Sequence, residues 1–326
     1  MVQTTIPIKI ENFKRKVPNM SLQIPVAFVD QFKANILLLS QQKPALLRGC
    51  CRMEAVTGDT MYVERIGPKD AQVRGARHGA TPVSDADHSR RKLSMVDYDV
   101  PADLIDRPDK LKMLIDPQSV YAQNQTFSLN RAIDDVIIAA LFGAAYGGHT
   151  GATTINNYDV GECRLVESSG VIVTAGSDWS NTAETALTIA KLLTCKQLLD
   201  DAEIDESRQR YFLTNPYNIN QLLNTVEVKS ADYNMVKALA QGQIDTFMGF
   251  KFLKSTRLPA DDTDTGATKC AAFAQDAIVL AVAEEPTVDI SVRNDLCNSI
   301  QVYSTLSIGA TRVEGPAVVG ITLDTV

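Results

Sequence analysis

Apolar positions recur at two spacings along the chain, and the changes between them mark out its elements. Residues 1–24 hold Pro7 and Pro18 among mixed polar and apolar positions, which reads as an extended arm. From Pro25, the residues Val26, Val29, Phe32, Ile36 and Leu39 follow helical spacing and predict an amphipathic helix up to Lys43 and Pro44. The stretch "EAVTGDTMYVERIG" then reads as strand, with Met61, Val63 and Ile66 after a turn at Gly58 and Asp59. "KLSMVDYDVPADL" reads as a second strand. Between the two lies a polar insert of about 25 residues, a long hairpin-like arm.

"DPQSVYAQNQTFSLNRAIDDVIIAALFGAA" carries the clearest helical pattern. Asp116 suits the N-cap and Pro117 the first helical position, while Gly143 ends the pattern. Val120, Phe127, Ala132, Val136 and Ala140 approximate the inward face, and only the more apolar second half need lie deep in a core. A Gly-, Thr- and Ser-rich segment, 146–182, holds the short strand candidates "CRLV" and "GVIVT". A further helix is expected from an N-cap at Thr182, with Ala186, Ile189, Ala190, Leu193 and Leu198 near one face. "RQRYFLTNP" reads as strand, "YNINQLLNT" and "NMVKALAQGQ" as short helices, and "FMGFKFLKSTRLP" as strand. From residue 270 the pattern is β, best seen where Val302, Ser304, Leu306 and Ile308 alternate with Tyr303, Thr305 and Ser307. Helices and strands come in runs, so the class is α+β.

Composition narrows the function. A chain of 326 residues with 45% hydrophobic content builds a sizeable core. Its net charge of −7 argues against a dedicated nucleic-acid binder, because that binding runs on counterion release by cationic residues. No run of about 20 apolar residues occurs, and the N-terminus has no secretory pattern. The cysteines Cys50, Cys51, Cys163, Cys195, Cys270 and Cys297 form no CxxC pair, and all are expected to be reduced structural thiols. Cys50 and Cys51 point to opposite faces if they lie on a strand. "GGHTGATT" lacks the phosphate-loop spacing and reads as a turn; HExxH, GxSxG and GxGxxG do not occur. The acidic clusters at 200–206 and 261–264 miss the calcium-loop template and read as a solvated helix end and an exposed loop. The basic trio Lys14, Arg15 and Lys16 suits solvent, an acidic neighbour or nucleic acid. No catalytic residue, cofactor or metal ligand is expected.

What remains is charge in an unusual place. The polar insert and its flank gather Arg74, Arg77, Arg90, Arg91 and Lys92, with His78 and His88. A lid would need a site beneath it. An arm that packs on a neighbouring subunit explains the charge, because association offsets the entropy of ordering it.

The order of arm, long β-arm and long helix resembles the major capsid protein of tailed bacteriophages, with its Hong Kong 97-like fold. The local match is "TALTIAKLLTCKQLLDDAEIDESRQRYFLTNPYNINQLLN", similar to the capsid segment where a helix leads through a charged turn to a strand, Asn-Pro and a short helix. The resemblance implies an N-terminal arm and helix (1–45), an extended loop or E-loop (46–110), and a spine helix with peripheral (P) domain (111–185). It further implies an axial (A) domain region (186–270) and a C-terminal β segment returning to the peripheral domain (271–326). It implies self-assembly into hexamers and pentamers of an icosahedral head enclosing double-stranded DNA, bound without sequence specificity. Scaffold, portal and a decoration or cement protein would be the other partners, with no membrane. The protein would sit in the virion capsid after assembly in the host cytoplasm. Lys69 and Lys92 only flank the arm tip, so no isopeptide crosslink is expected. An encapsulin-like compartment, or a soluble enzyme using the α/β middle region, are the other readings. For assembly, the arm cations Arg74, Arg77, Arg90, Arg91 and Lys92 are expected to meet Asp200, Asp201, Glu203, Asp205 and Glu206 of a neighbour. Arg90 and Arg91 are expected to lie off the core, so their replacement by Glu should leave the subunit folded.

Overall fold

A computed structural model describes residues 38–75, 77, 81, 83–106, 118–155, 164–166, 172–173, 186–224, 246–260 and 266–324. The N-terminal arm, residues 107–117, Thr182, the expected helix at 234–243 and the acidic cluster at 261–264 lie outside them. Of the helix expected up to Lys43, residues 38–43 are described and are not helical.

The first sheet has strand order β1-β13-β14-β4, from β1 (Arg52–Ala55), β13 (Ile278–Arg293), β14 (Ser299–Arg312) and β4 (Val96–Ile105). β13 and β14 form a long antiparallel hairpin whose register runs from Ile278↔Arg312 to Arg293↔Ser299. The alternation read from the sequence decides its faces: Val302, Ser304, Leu306 and Ile308 are all buried, while Tyr303, Thr305 and Ser307 are partly open. β4 is an edge strand, and its Pro101 falls in the register shift opposite Tyr303, where no ladder N–H is needed.

Helix α1 (Gln118–Phe142) packs its second half on the buried face of this sheet. The buried stripe is Leu129, Ile133, Ile137 and Leu141, at four-residue spacing. The stripe expected from the sequence, Val120 to Ala140, lies beside it and is only partly buried. In "IDDVIIAALF" apolar residues are so dense that two phases fit, and the sheet selects one. At the helix end, Arg312 donates to the carbonyls of Leu141 (2.5 Å) and Gly143 (2.8 Å). A buried cation there satisfies terminal acceptors and faces the negative end of the helix dipole.

The second sheet has order β10-β11-β9-β12-β15-β7-β8. Its strands are β7 (Arg164–Val166), β8 (Ile172–Val173), β9 (Arg210–Thr214), β10 (Thr246–Phe247), β11 (Phe250–Lys254), β12 (Ala267–Ala274) and β15 (Val318–Asp324). β9 and β12 are buried along their whole lengths. Helices α2 (Ile189–Asp201) and α3 (Pro216–Asn224) cover this sheet around Phe212, Phe250, Leu198 and Leu222. α2 is capped by Thr188, whose hydroxyl accepts from the Lys191 N–H, so it starts later than a Thr182 cap implied. Its buried residues are Leu192, Cys195, Leu198 and Leu199, whereas Leu193, expected to face inward, is exposed.

The third sheet, β2-β3-β5-β6, is built from β2 (Thr60–Ile66), β3 (His88–Ser94), β5 (Ala145–Gly147) and β6 (Thr153–Ile155). The single strand expected over residues 92–104 is therefore two, broken at Met95, whose N–H donates to the Asp59 carbonyl (2.9 Å). β3 enters the third sheet and β4 the first. Gly309 permits this crossing: a Cβ there would sit 2.4 Å from the Ser94 carbonyl oxygen.

Cys50 lies in a short 3-10 turn (Arg48–Cys50) and Cys51 just after it; both are buried and neither lies on a strand, so the condition for opposite faces is not met. Burial pushes the Cys50 and Cys270 thiols up to about 11 and that of Cys195 to about 12. Cys297, in the β13–β14 turn, is exposed, unlike a buried structural thiol.

Candidate assembly surface

β2 and β3 pair antiparallel from Thr60↔Ser94 to Ile66↔His88, and the ladder continues where the Gly67 N–H donates to the Asp87 carbonyl (2.8 Å). This hairpin carries the long polar loop at its end. Residues opposite one another share a face, so alternation splits the arm cations in two.

On one face, Val63, Arg91 and Leu93 are buried against the subunit. Arg91 is 1% exposed and among the largest fully buried side chains. Its placement off the core is therefore corrected: it packs under the hairpin, with a terminal guanidinium nitrogen beside Gly147. Arg65 shares this side and donates to the Val313 carbonyl (2.7 Å). Phase alone makes the difference, since Arg90 and Arg91 are neighbours on an alternating strand.

On the other face lie Tyr62, Glu64 and Ile66 of β2, with His88, Arg90 and Lys92 of β3. Arg90 pairs with Glu64 (3.0 Å), and its guanidinium sits 5.6 Å from the Tyr62 ring centroid. The Tyr62 hydroxyl donates to the Thr150 carbonyl (3.2 Å) in the β5–β6 turn. Lys92 lies against Gly151 (φ 68°), where a Cβ would meet its side chain at 2.4 Å. "GGHTGATT" is thus the turn of a small hairpin joined to β3. A cleft of about 530 Å³ is lined by Glu64, His88, Ser89, Arg90, Gly148 and His149. Ile66 and Tyr62 are exposed while Arg90 and Lys92 are half-buried beside the β5–β6 turn, so the face is partly open, aromatic and cationic. Arg74 and Arg77 are exposed in the loop beyond it, and His78 lies outside the described residues.

The expected acidic partners separate likewise. Asp200 pairs with the buried Arg210 of its own subunit (2.6 Å), and Arg210 also donates to the Ile204 carbonyl (3.1 Å). Asp201, Glu203, Asp205 and Glu206 are exposed. Asp205 accepts from the Ser207 N–H (2.9 Å), and hydrogen bonds from Ser207 hold its carboxyl below the ordinary value.

Sequence reading missed a second acidic surface. Asp97 and Asp99 of β4, with Glu284 and Asp289 of β13, are exposed on the face of the first sheet turned away from α1. Their partners across the ladder, Ser307, Thr305 and Tyr303, fix that common face. The signal was present in "VDYDV", where Asp recurs at two-residue spacing. Sequence reading also missed Asp134, a buried carboxylate on α1 that accepts from the N–H groups of Leu46 and Leu47 (3.0 Å each) and from the Gln42 amide. It ties the segment at 42–47 to the helix. Among the described residues no cluster fits a metal ion, and no helix is long and apolar enough to cross a membrane.

The family model described as phage capsid protein matches residues 24–325, so the chain belongs to the phage capsid protein family, the structural subunits of phage heads. The fold agrees with solved capsids. The capsid of Cyanophage P-SCSP1u superposes with a TM-score of 0.68 at 14% identity, covering 97% of this chain and 100% of that one. The Cyanophage Pam1 capsid asymmetric unit gives 0.69 at 14% identity, covering 95% and 99%. The capsid of Ralstonia phage GP4 gives 0.67 at 10% identity, covering 94% and 98%. No curated protein matches. The Hong Kong 97-like expectation for the fold is therefore met, and the family does not favour the encapsulin-like or enzyme readings.

Proposed function

We propose that this chain is the repeating subunit of an icosahedral head, assembling into hexamers and pentamers around double-stranded DNA that it holds without sequence specificity. In this reading the β2–β3 hairpin with its loop is the E-loop, α1 is the spine helix, the first sheet with α1 forms the peripheral domain, and α2, α3 and the second sheet belong to the axial domain. The boundaries expected at 46–110, 111–185, 186–270 and 271–326 are redrawn in this reading, since β1 and β4 of 46–110 join the first sheet and β7 and β8 of 111–185 the second. β15 also pairs with β12, so the C-terminal segment contributes to the second sheet as well. Scaffold, portal and a decoration protein are the further partners, and assembly in the host cytoplasm precedes residence in the virion.

One observation carries the reading: a hairpin that buries one face on its own subunit and leaves an aromatic, cationic face partly open. Tyr and Arg are enriched where interfaces bind most tightly, and such a face gains its cover from a neighbour. Exposed Arg74, Arg77, Asp201 and Glu203 remain in this proposal as contact residues. Arg91 and Asp200 act inside the subunit instead. Negative-stain microscopy of the expressed protein tests the whole reading. Closed shells or isolated five- and six-membered rings are expected, and a discrete monomer or dimer under all assembly conditions sinks it.

A further inference from the structure

We infer that residues 41–51 form a latch on α1 that opens as a local unit, held shut by the buried Asp134 carboxylate, and that its opening uncovers Cys50 and Cys51 while the rest of the subunit stays folded. The latch is independent of the shell reading, since a chain that never assembles either has it or lacks it. Its grip is polar. Asp134 is 2% exposed, and the three hydrogen bonds its carboxylate accepts all come from the latch: from the Leu46 and Leu47 N–H groups (3.0 Å each) and from the Gln42 amide. Around them, Arg131 donates to the Gln41 side chain (2.8 Å) and Asn130 to the Lys43 carbonyl (2.9 Å), the second of these open to water. Among the described residues, 41–47 join no sheet and make no backbone–backbone hydrogen bond to another element.

The apolar part of the latch is small. Leu47, Cys50 and Cys51 pack into the core that α1 shares with the first two sheets, whereas Leu46 is exposed. Segments with few buried apolar contacts and water-accessible hydrogen bonds open at lower free energy than the whole domain. A buried carboxylate held by neutral donors adds to this, because opening returns its charge to water. The hinge lies at Arg52, where β1 joins the β13 ladder (Arg52↔Val279). Burial above all raises the Cys50 thiol to about 11 and raises that of Cys51 too, so neither reacts while the latch is shut. The chain before Gln41 continues from the latch, so closure fixes where that chain starts on α1 and opening lets the start move.

The buried thiols test this in the full-length chain. Cys195 and Cys270 are the controls, fully buried in the separate core around α2, to which no latch residue belongs. Iodoacetamide labelling is followed by mass spectrometry in urea below the unfolding transition, each rate divided by that of the same thiol in the unfolded chain. Cys50 and Cys51 should label about tenfold or more faster than Cys195 and Cys270, and with a shallower urea dependence, because local opening exposes less surface than global unfolding. One common rate and one common slope for all four thiols would mean that the segment moves only with the whole subunit, and would overturn the latch. Asp134→Ala should raise the Cys50 and Cys51 rates about tenfold or more with the slope still shallow, since three donors then lose their acceptor. Unchanged rates at Cys50 and Cys51 in the folded variant would overturn Asp134 as the group that holds the latch. Should Asp134→Ala not fold, Asp134→Asn replaces it, with a smaller rise of the same sign expected and the same overturning result.

Discussion

The seven-stranded sheet and the β2–β3 hairpin sheet are built for different neighbours. In the first, β9 and β12 are buried at every position, enclosed on both faces. In the second, alternate residues are buried and open, and Arg90 and Arg91 fall on opposite sides of that division. One sheet draws its stability from its own chain, whereas the other spends half its surface on something outside it. The lesson is that a charged residue on this protein cannot be assigned a role from its charge. Its phase on the strand decides whether it supports the fold or the contact.

The sharpest way to break this comparison is in the closed sheet. Phe212 is fully buried between Phe250 and Phe252, with ring centroids 6.1 and 5.3 Å away. Phe212→Ala should cost about 3–5 kcal/mol from lost burial and the cavity left behind, read by chemical denaturation. A loss under about 1 kcal/mol would mean that the core relaxes around the gap.

Next come the two arginines, substituted one at a time. Arg91→Glu should destabilise the subunit by about 3 kcal/mol or more, because it buries the wrong charge. Arg90→Glu should change stability by no more than about 1 kcal/mol, since its ion pair is partly exposed. Thermal melts of the two single variants check this, and equal losses would erase the distinction between the faces.

Asp134 offers a smaller effect. Asp134→Asn places an amide where Leu46 and Leu47 both donate, and should cost about 1–3 kcal/mol. Its pH dependence has a definite sign. Burial, the largest influence, raises the Asp134 carboxyl above its ordinary value despite the hydrogen bonds it accepts. The folded state then holds the proton more tightly than the unfolded state. The contribution is fully present below the ordinary carboxylate value and is lost as pH rises through the folded one. The stability of wild type minus that of Asp134→Asn should therefore fall across that window. A difference that grows with pH would show that the hydrogen bonds outweigh burial.

The smallest effect is on reactivity. Cys297 should react with iodoacetamide well before Cys50, Cys195 and Cys270, which are buried and protonated at neutral pH. Mass spectrometry of brief labelling checks the order.

Much of this architecture was legible in the chain. The 25-residue helix ending before Gly143, the period-two pattern of β14 and the long polar hairpin loop each follow from local rules. The errors share a cause. Where apolar residues crowd a helix, as at 136–142, two stripes are equally apolar, and only the sheet beneath picks one. Where alternation continues through a change of sheet, as at Met95, the pattern carries no mark of the break. That crossing depends on Gly309, more than two hundred residues away.

The sequence by itself determined the type of most described elements, though not their limits, because hydrogen-bonding period and turn chemistry act over a few residues. It also determined that positive charge collects on one arm of an acidic chain. Only the tertiary structure decided which of those charges face outward. Burial depends on which strands and helices meet, and the pairings that bury Arg91, engage Asp200 and align Asp97 and Asp99 with Glu284 and Asp289 join residues far apart in the chain.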